Sequence, residues 1–103
     1  MNKANEVIDE IASRYGITRM AMLGKRRIRR YAYPRAVACY ILHIDCGMSC
    51  TKVGEVFSCT HANVLYHCRN VGDWLRMPAL NSEAVKIVRE VEKLHGLTNE
   101  QLN

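Results

Sequence analysis

The residues of this sequence that are best suited to chemistry form one segment of concentrated positive charge. Between residues 25 and 35 there are six cations and no carboxylate: Lys25, Arg26, Arg27, Arg29, Arg30 and Arg35. The 103-residue chain has 15 Lys and Arg against 10 Asp and Glu, so this segment alone outweighs the net charge of +5. Because clustered cations attract polyanions, a nucleic acid is the predicted partner. The same pattern also occurs on solvated surfaces that bind nothing.

A second group of side chains lies where one predicted helix begins. Seven residues there lie off the apolar stripe, and none carries a negative charge: Thr60, His61, Ala62, Asn63, Tyr66, His67 and Arg69. Asn63 can pair with both polar atoms of an adenine edge, and the methyl group of Ala62 can contact a thymine methyl. Arg69 is better placed to bind a phosphate. His61 also fits an ordinary surface residue, and Tyr66 also fits the edge of the apolar core.

Both groups depend on helices that the apolar pattern predicts. In the first half of the chain, apolar residues at helical spacing indicate a helix over 5–15 that Gly16 ends. Thr18 caps a short second helix, whose core residues are Met20 or Met22 together with Leu23. Pro34 is expected in the first turn of a third helix, where its missing N–H costs no hydrogen bond. The buried stripe of that helix, which runs to about Asp45, is Val37, Ala38, Ile41 and Ile44.

The second half of the chain predicts a helix-turn-helix over about 49–77. Ser49 caps a fourth helix, and three residues from Ser58 to Thr60 separate it from a fifth. The apolar positions of the fourth helix are Val53, Val56 and Phe57, and those of the fifth are Val64, Leu65, Cys68, Val71 and Leu75. A C-terminal helix over about 82–95, capped by Asn81 or Ser82, has the apolar face Ala84, Ile87, Val88, Val91 and Leu94. The predicted fold class is therefore all-α, with about six helices in a single domain over 1–103.

Cysteine spacing and segment length exclude several other classes of protein. The cysteines are odd in number and lack paired zinc knuckles, as is typical of reduced thiols: Cys39, Cys46, Cys50, Cys59 and Cys68. A metal centre is the weaker alternative, and its ligands would be Cys46, Cys50, Cys59 and either His61 or His67. No apolar run reaches the roughly 20 residues that span a bilayer, and the N-terminus lacks a signal-peptide pattern. We therefore predict a soluble, cytoplasmic protein with no metal, no cofactor and no membrane contact.

Catalysis is not predicted either. The acidic residues are scattered over helix surfaces, and none stands at a telling spacing from a histidine: His43, His61, His67 and His95. The sequence also suggests no nucleophile with an adjacent base. We therefore predict no catalytic residues and no enzymatic activity.

The two groups of residues carry a family resemblance. The run KRRIRRYAYPRAVA resembles the basic loop and following helix of the C-terminal DNA-binding domain of the bacterial replication initiator DnaA, which has a Trp-repressor-like helix-turn-helix. The later run SCTKVGEVF…THANVLYHCRNV is similar to the helix-turn-helix and signature of that domain. The resemblance covers about 6–75, with both motifs in the same order and at the same separation.

The resemblance implies roles for individual residues. The family arginine at the position of Arg29 enters the minor groove, where a narrow A·T-rich groove concentrates negative potential. The neighbouring cations would bind phosphates: Lys25, Arg26 and Arg27. The family histidine at the position of His61 reads the major groove. Ala62 and Asn63 stand where the family has hydroxyl residues that contact bases and backbone.

Departures from the family pattern affect the DNA sequence that would be read. The turn is one residue shorter, Ser58 and Cys59 replace the usual glycine and arginine, and Thr60 replaces an aspartate that reads a base. A lost base contact changes discrimination by about 1–3 kcal/mol, so general DNA binding is expected to survive while the family's target box is not. The sequence also lacks a GxxxxGK[ST] loop for ATP, so it does not contain the whole of an initiator.

We predict sequence-specific binding of double-stranded DNA by a stand-alone domain, in replication or its regulation, with a phage or mobile element as one source. The alternative is a protein-interaction module of the replication machinery that keeps the fold. Such a module would have no need to keep its arginines together. A homodimer or a partner protein bound through the C-terminal helix stays open, because a small DNA-binding domain typically needs a second copy or neighbour for tight binding.

Overall fold

A computed structural model describes residues 3–24 and 29–97 of the chain. Within them the structure contains six α-helices and no strand, which confirms the all-α prediction. The helices are α1 (Lys3–Tyr15), α2 (Arg19–Leu23), α3 (Arg29–Tyr40), α4 (Cys50–Phe57), α5 (His61–Arg76) and α6 (Ser82–Leu94). A π-helical turn, Ile41–Asp45, continues α3, and a short 3-10 helix, Pro78–Leu80, precedes α6.

Side-chain caps fix where four of these helices begin. The Oγ1 atom of Thr18 accepts a hydrogen bond from the Ala21 amide at 3.0 Å, and the Oγ atom of Ser49 accepts one from Lys52 at 3.1 Å. Two further amides donate to the caps of α5 and α6, whose cap residues are Thr60 and Asn81. Each cap satisfies one of the orphan N–H groups at a helix start. The capping residues predicted from the sequence are confirmed, with Asn81 chosen over Ser82.

The core lies around α3, which packs against α1, α2, α5 and α6. Its largest fully buried side chains come from every α-helix and from the π-helical turn: Val7, Ile8, Ile11, Met22, Val37, Ile41, Leu42, Val53, Val64, Val71, Val88 and Val91. The sequence predicted either Met20 or Met22 as a core residue of α2. Met22 is the buried one, and Met20 is exposed. None of the helices that the structure describes is both long and apolar enough to cross a membrane.

The predicted start of α3 was wrong. The helix includes Arg29, so Pro34 lies in its second turn and not in its first. A proline there leaves the Arg30 carbonyl without its usual helical donor, so one hydrogen bond is lost near the helix start. The Pro34 side chain is buried. Three cations of the predicted basic loop are therefore on a helix: Arg29, Arg30 and Arg35.

The predicted burial of three residues was also wrong. Ile44 is 48% exposed, Leu65 is 45% exposed and Leu94 is 59% exposed. Ile44 lies in the π-helical turn, where a wider helical repeat shifts side chains out of register with the α-helical stripe. Leu65 directly follows the buried Val64 and is turned toward solvent by the helical rotation. Leu94 is the last residue of α6.

Candidate nucleic-acid interface

The turn between α4 and α5 holds the two helices in close contact. The Cys59 amide donates to the Gly54 carbonyl at 2.9 Å, and Ser58 adopts a left-handed conformation with φ of 56°. A Cβ atom on Gly54 would lie 2.5 Å from the Cys59 carbonyl oxygen, closer than any side chain can approach. Gly54 therefore permits α4 to rest directly on the turn, and this contact orients the start of α5.

Three exposed side chains at helical spacing form what we call the outward face of α5: Ala62, Tyr66 and Arg69. They lie opposite the buried residues Val64, Cys68 and Val71. Tyr66 is 57% exposed, so it belongs to the surface and not to the edge of the core. His61 and Asn63 are also exposed and flank this face at the first turn.

The electrostatics of this helix start favour an anion. Thr60 caps one amide, the Asn63 N–H, and the first turn of α5 contains no acidic residue. The remaining first-turn N–H groups and the helix dipole present a positive end there. The first carboxylate of α5 is that of Asp73, which forms an ion pair with Arg76 at the opposite end of the helix.

His67 differs from the other predicted recognition residues because it is half-buried. Burial lowers the pKa of His67, and the positive charge of Arg35 lowers it further. Its ring centroid lies 5.9 Å from that of Tyr66. A neutral, half-buried imidazole next to Tyr66 suits packing better than it suits binding a phosphate.

The predicted basic residues divide into three groups. Lys25, Arg26 and Arg27 lie outside the described residues, as does the side chain of Arg29. Arg30 is exposed, and its Nη2 atom donates to the Gly16 carbonyl at 3.4 Å. Arg35 is part-buried and donates to backbone carbonyls.

Arg35 ties the end of α2 to α3. Its Nε atom donates to the Met22 carbonyl at 2.7 Å, and Nη2 donates to the carbonyls of Ala21, at 3.3 Å, and Gly24. These carbonyls lie at the C-terminal end of α2, where helical acceptors lack partners. Burial lowers the pKa of Arg35 without threatening its charge, since a guanidinium stays protonated. The guanidinium thus serves the fold at the point where the basic segment begins.

The same side chain links Gly24 to the surroundings of α5. Gly24, which precedes Lys25, is bonded to Arg35, and the charge of Arg35 reaches both the His67 ring and the Cys59 thiol. Within the segment, the Tyr33 ring of α3 packs edge-on against Trp74 of α5, with centroids 5.2 Å apart. The half of the segment that α3 contains therefore lies on a helix packed against α5.

Sequence reasoning missed several residues that form this region. The backbone contact at Gly54 had one signal, an isolated glycine inside a helical pattern, which often marks a close packing site. The bonds from Arg35 to α2 had none, because an arginine in a basic run looks like its neighbours. The pairing of His43 with Cys50, whose Sγ lies 3.3 Å from the His43 Nε2 atom, also follows only from the fold.

Comparison with known proteins identifies similar chains. The family described as bacterial dnaA protein helix-turn-helix matches residues 4–71, which is α1 to most of α5. A relative in Chlamydia trachomatis serovar D, named chromosomal replication initiator protein DnaA 1, is 28% identical over 87 residues, covering 84% of this chain and 19% of the relative.

Two further relatives carry related names. The DnaA 1 initiator protein of Chlamydia pneumoniae is 33% identical over 64 residues, covering 62% of this chain and 14% of the relative. The chromosomal replication initiator protein DnaA of Chloroflexus aggregans is 25% identical over 96 residues, or 91% of this chain and 20% of the relative. The chain thus spans about a fifth or less of the length of these relatives.

Proposed function

Because the chain belongs to the bacterial DnaA helix-turn-helix family, we propose that it binds double-stranded DNA, with α5 in the major groove and the basic segment on the adjacent minor groove and phosphates. The observation that carries this proposal is the exposed, acid-free start of α5, next to which Cys59 and His67 lie within the electrostatic reach of Arg35. A helix-turn-helix places the N-terminal residues of its second helix against base edges.

Base reading falls to the exposed residues of the first two turns of α5. Asn63 offers a donor and an acceptor for adenine, Ala62 offers a methyl group for thymine, and His61 can meet a purine acceptor. Tyr66 and Arg69 continue the outward face and approach the backbone. His67 is half-buried next to Tyr66 and contributes least directly.

The basic segment supplies non-specific affinity and a minor-groove contact. The family resemblance supports Arg29 as the minor-groove residue and Lys25, Arg26 and Arg27 as phosphate ligands. Arg30, exposed on the first turn of α3, is a further cation of the same segment. Arg35 acts differently, since its bonds to Ala21, Met22 and Gly24 fix where the segment begins.

The biological setting that fits is DNA replication or its control. The relatives carry the name of chromosomal replication initiators, and this chain matches a small part of their length. The sequence has no Walker-type ATP loop, so the domain supplies recognition of DNA sites and not nucleotide hydrolysis. A protein-interaction module bound through α6 is the weaker alternative, because the apolar face of α6 is already buried in the core.

Selection of bound sequences from a random duplex library tests this proposal. We expect enrichment of a short motif with a purine-containing core, and Asn63→Ala should relax preference at one or two base pairs while non-specific binding stays near normal. A library that emerges without any enriched motif would contradict sequence-specific reading.

Salt dependence tests the basic segment separately. The logarithm of affinity should fall against the logarithm of salt with a slope of about 0.9 for each phosphate bound. Arg29→Ala should reduce that slope and weaken binding most on A·T-rich duplexes, whereas Lys86→Ala, an exposed cation on α6, should leave it unchanged. Equal slopes for both variants would remove the segment from the interface.

A further inference from the structure

The exposed side of α6 carries a line of cations that the proposed DNA interface does not use. Lys86, Arg89 and Lys93 are all exposed and stand at i, i+3 and i+7, so they share one side of the helix. The buried side of α6, which includes Ala84 and Val88, lies opposite them. We call these three side chains the α6 cation stripe.

The carboxylates of α6 are engaged away from this stripe. Glu90 forms an ion pair with Arg14 of α1. Glu92 lies close enough to Asp45 to raise the pKa of that carboxyl group. Glu83 stands in the first turn, where a negative charge balances the helix dipole. Among the residues that the structure describes, no carboxylate forms an ion pair with a cation of the stripe.

The exposed side of α1 is arranged differently. It carries charges of both signs, and its cations are neutralised: Arg14 pairs with Glu10, and Asp9 pairs with Arg19 of α2. A surface of mixed, paired charges has little attraction for a polyanion, whereas a surface of one unpaired sign attracts it. The stripe therefore differs from the ordinary solvated helix surface of the same molecule.

The fold alone does not account for the cations of the stripe. Arg89 and Lys93 stand four residues apart, a spacing at which like charges destabilise a helix. Lys93 suits the negative C-terminal end of α6, but Lys86 and Arg89 lie in the middle of the helix, where the dipole offers no such gain. A bound polyanion would relieve the repulsion between them.

The length of the stripe matches a DNA backbone. From Lys86 to Lys93 the helix rises about 10 Å. One DNA strand places a phosphate about every 3.4 Å along its axis, so the stripe spans about three successive phosphates. No apolar side chain interrupts the stripe, whereas a protein partner typically requires apolar contact area. Its chemistry therefore favours phosphates over an acidic protein.

The stripe and the outward face of α5 belong to different surfaces. α6 packs against α5, α1 and α3 through its buried side, so the stripe points away from these helices. Phosphates held by the stripe are consequently not those that face the first turns of α5. Lys86→Ala is for this reason a suitable control on a duplex that α5 and the basic segment fill.

We propose that the α6 cation stripe binds the phosphate backbone of a second stretch of DNA while α5 reads the first. The flank of the same DNA molecule and a separate duplex offer the same phosphates. The contact is independent of base sequence, because phosphates carry no sequence information directly. This inference rests on the proposed function, since α5 has to hold the first stretch.

A capture experiment with the full chain tests the stripe. A duplex with the motif selected by α5, roughly 15 base pairs or one and a half helical turns long, is fixed to beads and saturated with protein. A labelled duplex without the motif is then added. We expect its capture, and the logarithm of its affinity should fall against the logarithm of salt with a slope of about 2.7, or about 0.9 for each of three phosphates. The triple variant Lys86→Gln, Arg89→Gln, Lys93→Gln should weaken capture at least about tenfold and leave binding to the fixed duplex unchanged.

The matched control keeps the charge and exchanges the side chains: Lys86→Arg, Arg89→Lys and Lys93→Arg. It should retain capture to within about twofold. Glutamine is a good helix former and all three positions are exposed, so the triple glutamine variant should fold, as urea denaturation checks. A second arm places the motif in the middle of a duplex of roughly 40 base pairs, about four helical turns. A gain in affinity on this longer duplex that the triple glutamine variant loses would identify the flank of the same DNA as the second stretch.

The outcomes separate this inference from the proposed function. Protein that binds the fixed duplex, but neither captures the second one nor gains affinity on the longer one, would overturn the stripe and leave the proposed function standing. Equal capture by the wild type and the triple glutamine variant would overturn it too, as would preferential capture of polyglutamate, which would indicate an acidic protein partner. Duplex binding that depends on the stripe and not on Asn63 or Arg29 would contradict the proposed function alone, and a complete lack of duplex binding would contradict both.

Discussion

The turn between α4 and α5 and the outward face of α5 are close in sequence, but only the turn restricts which residues the fold accepts. In the turn, Gly54 meets the Cys59 carbonyl so closely that no side chain fits, and Ser58 takes a backbone conformation that costs free energy. On the face, Tyr66 and its neighbours project into solvent. The turn sets the orientation of a surface to which it contributes no side chain. Substitutions in the turn should therefore change stability, and substitutions on the outward face should change DNA affinity. The expected change in the free energy of unfolding ranks the substitutions.

The largest effect is expected at Gly54. Gly54→Ala places a methyl group where the Cys59 carbonyl oxygen lies, so either α4 or the turn must move. We expect a loss of about 2–3 kcal/mol in the free energy of unfolding, measured by urea denaturation. Gly72→Ala, on α5 with its nearest neighbour at 3.7 Å on a flexible arginine, is the matched control and should be neutral or stabilising. Equal stability of the two variants would show that the turn is not under this constraint.

The second effect distinguishes two arginines of the basic segment. Arg35→Met removes donors from three carbonyls at the end of α2 and should cost about 1–2 kcal/mol, whereas Arg30→Met loses one long bond and should be near neutral. Thermal denaturation of both variants at the same pH and salt measures this difference. If Arg35→Met were as stable as Arg30→Met, the bonds of Arg35 to α2 would not contribute to stability.

Most of the fold could be predicted from the sequence, because helix starts and stripes are local signals. Ser49 and Thr60 lie one residue before their helices, and the chain folds there as the capping rule requires. The predictions that were wrong have non-local causes. Pro34 is consistent with a helix start in any sequence, whereas α3 in the structure already includes Arg29. Ile44 left the stripe because a π-helical turn interrupts the α-helical repeat.

The candidate site was less predictable than the fold. The sequence could identify Asn63 and His61 as exposed polar residues at a helix start. The Thr60 cap fixes where α5 begins, and its apolar stripe fixes which side chains point to solvent. Chemistry could not separate Arg35 from Arg30, because only the fold shows that carbonyls of α2 surround one of them. Nor could spacing identify the contact of Cys50 with His43, seven residues away across a turn.

A smaller effect, of opposite sign, is expected at Ser58. Glycine adopts the left-handed conformation without the steric cost that serine has there, although it is more flexible when unfolded. Ser58→Gly should therefore stabilise the chain by about 0.5–1 kcal/mol, as measured by the midpoint of urea denaturation. Ser58→Ala, which keeps the steric cost, should show no such gain. A destabilised glycine variant would mean that the serine side chain has a role beyond the backbone.

His67, between the buried and outward sides of α5, should make stability depend on pH. Its pKa is lowered in the folded state, so the stability it contributes is full above the unfolded value of about 6.5 and is lost as the pH falls through that value. His67→Gln should flatten this decline. Asp45, whose pKa is raised to about 8 by burial and by Glu92, gives the opposite slope but is present in both proteins and cancels. Melting temperatures across this range measure the difference, and parallel curves would contradict it.

The smallest effect on stability is expected at the outward face itself. Tyr66 is more than half exposed, so Tyr66→Ala removes little buried surface and should change the free energy of unfolding by less than about 0.5 kcal/mol. The same substitution removes a large side chain from the centre of the surface proposed to face DNA, and duplex affinity should fall by about 1 kcal/mol or more. Tyr66→Phe separates ring from hydroxyl, since it keeps the packing over His67 and loses only a hydrogen-bonding group. Calorimetric titration with duplex, together with denaturation of the same samples, measures both quantities. A variant that lost stability and affinity in proportion would show that the turn and the face are one energetic unit, because recognition would then depend on the fold of α5 and not on the side chains that it exposes.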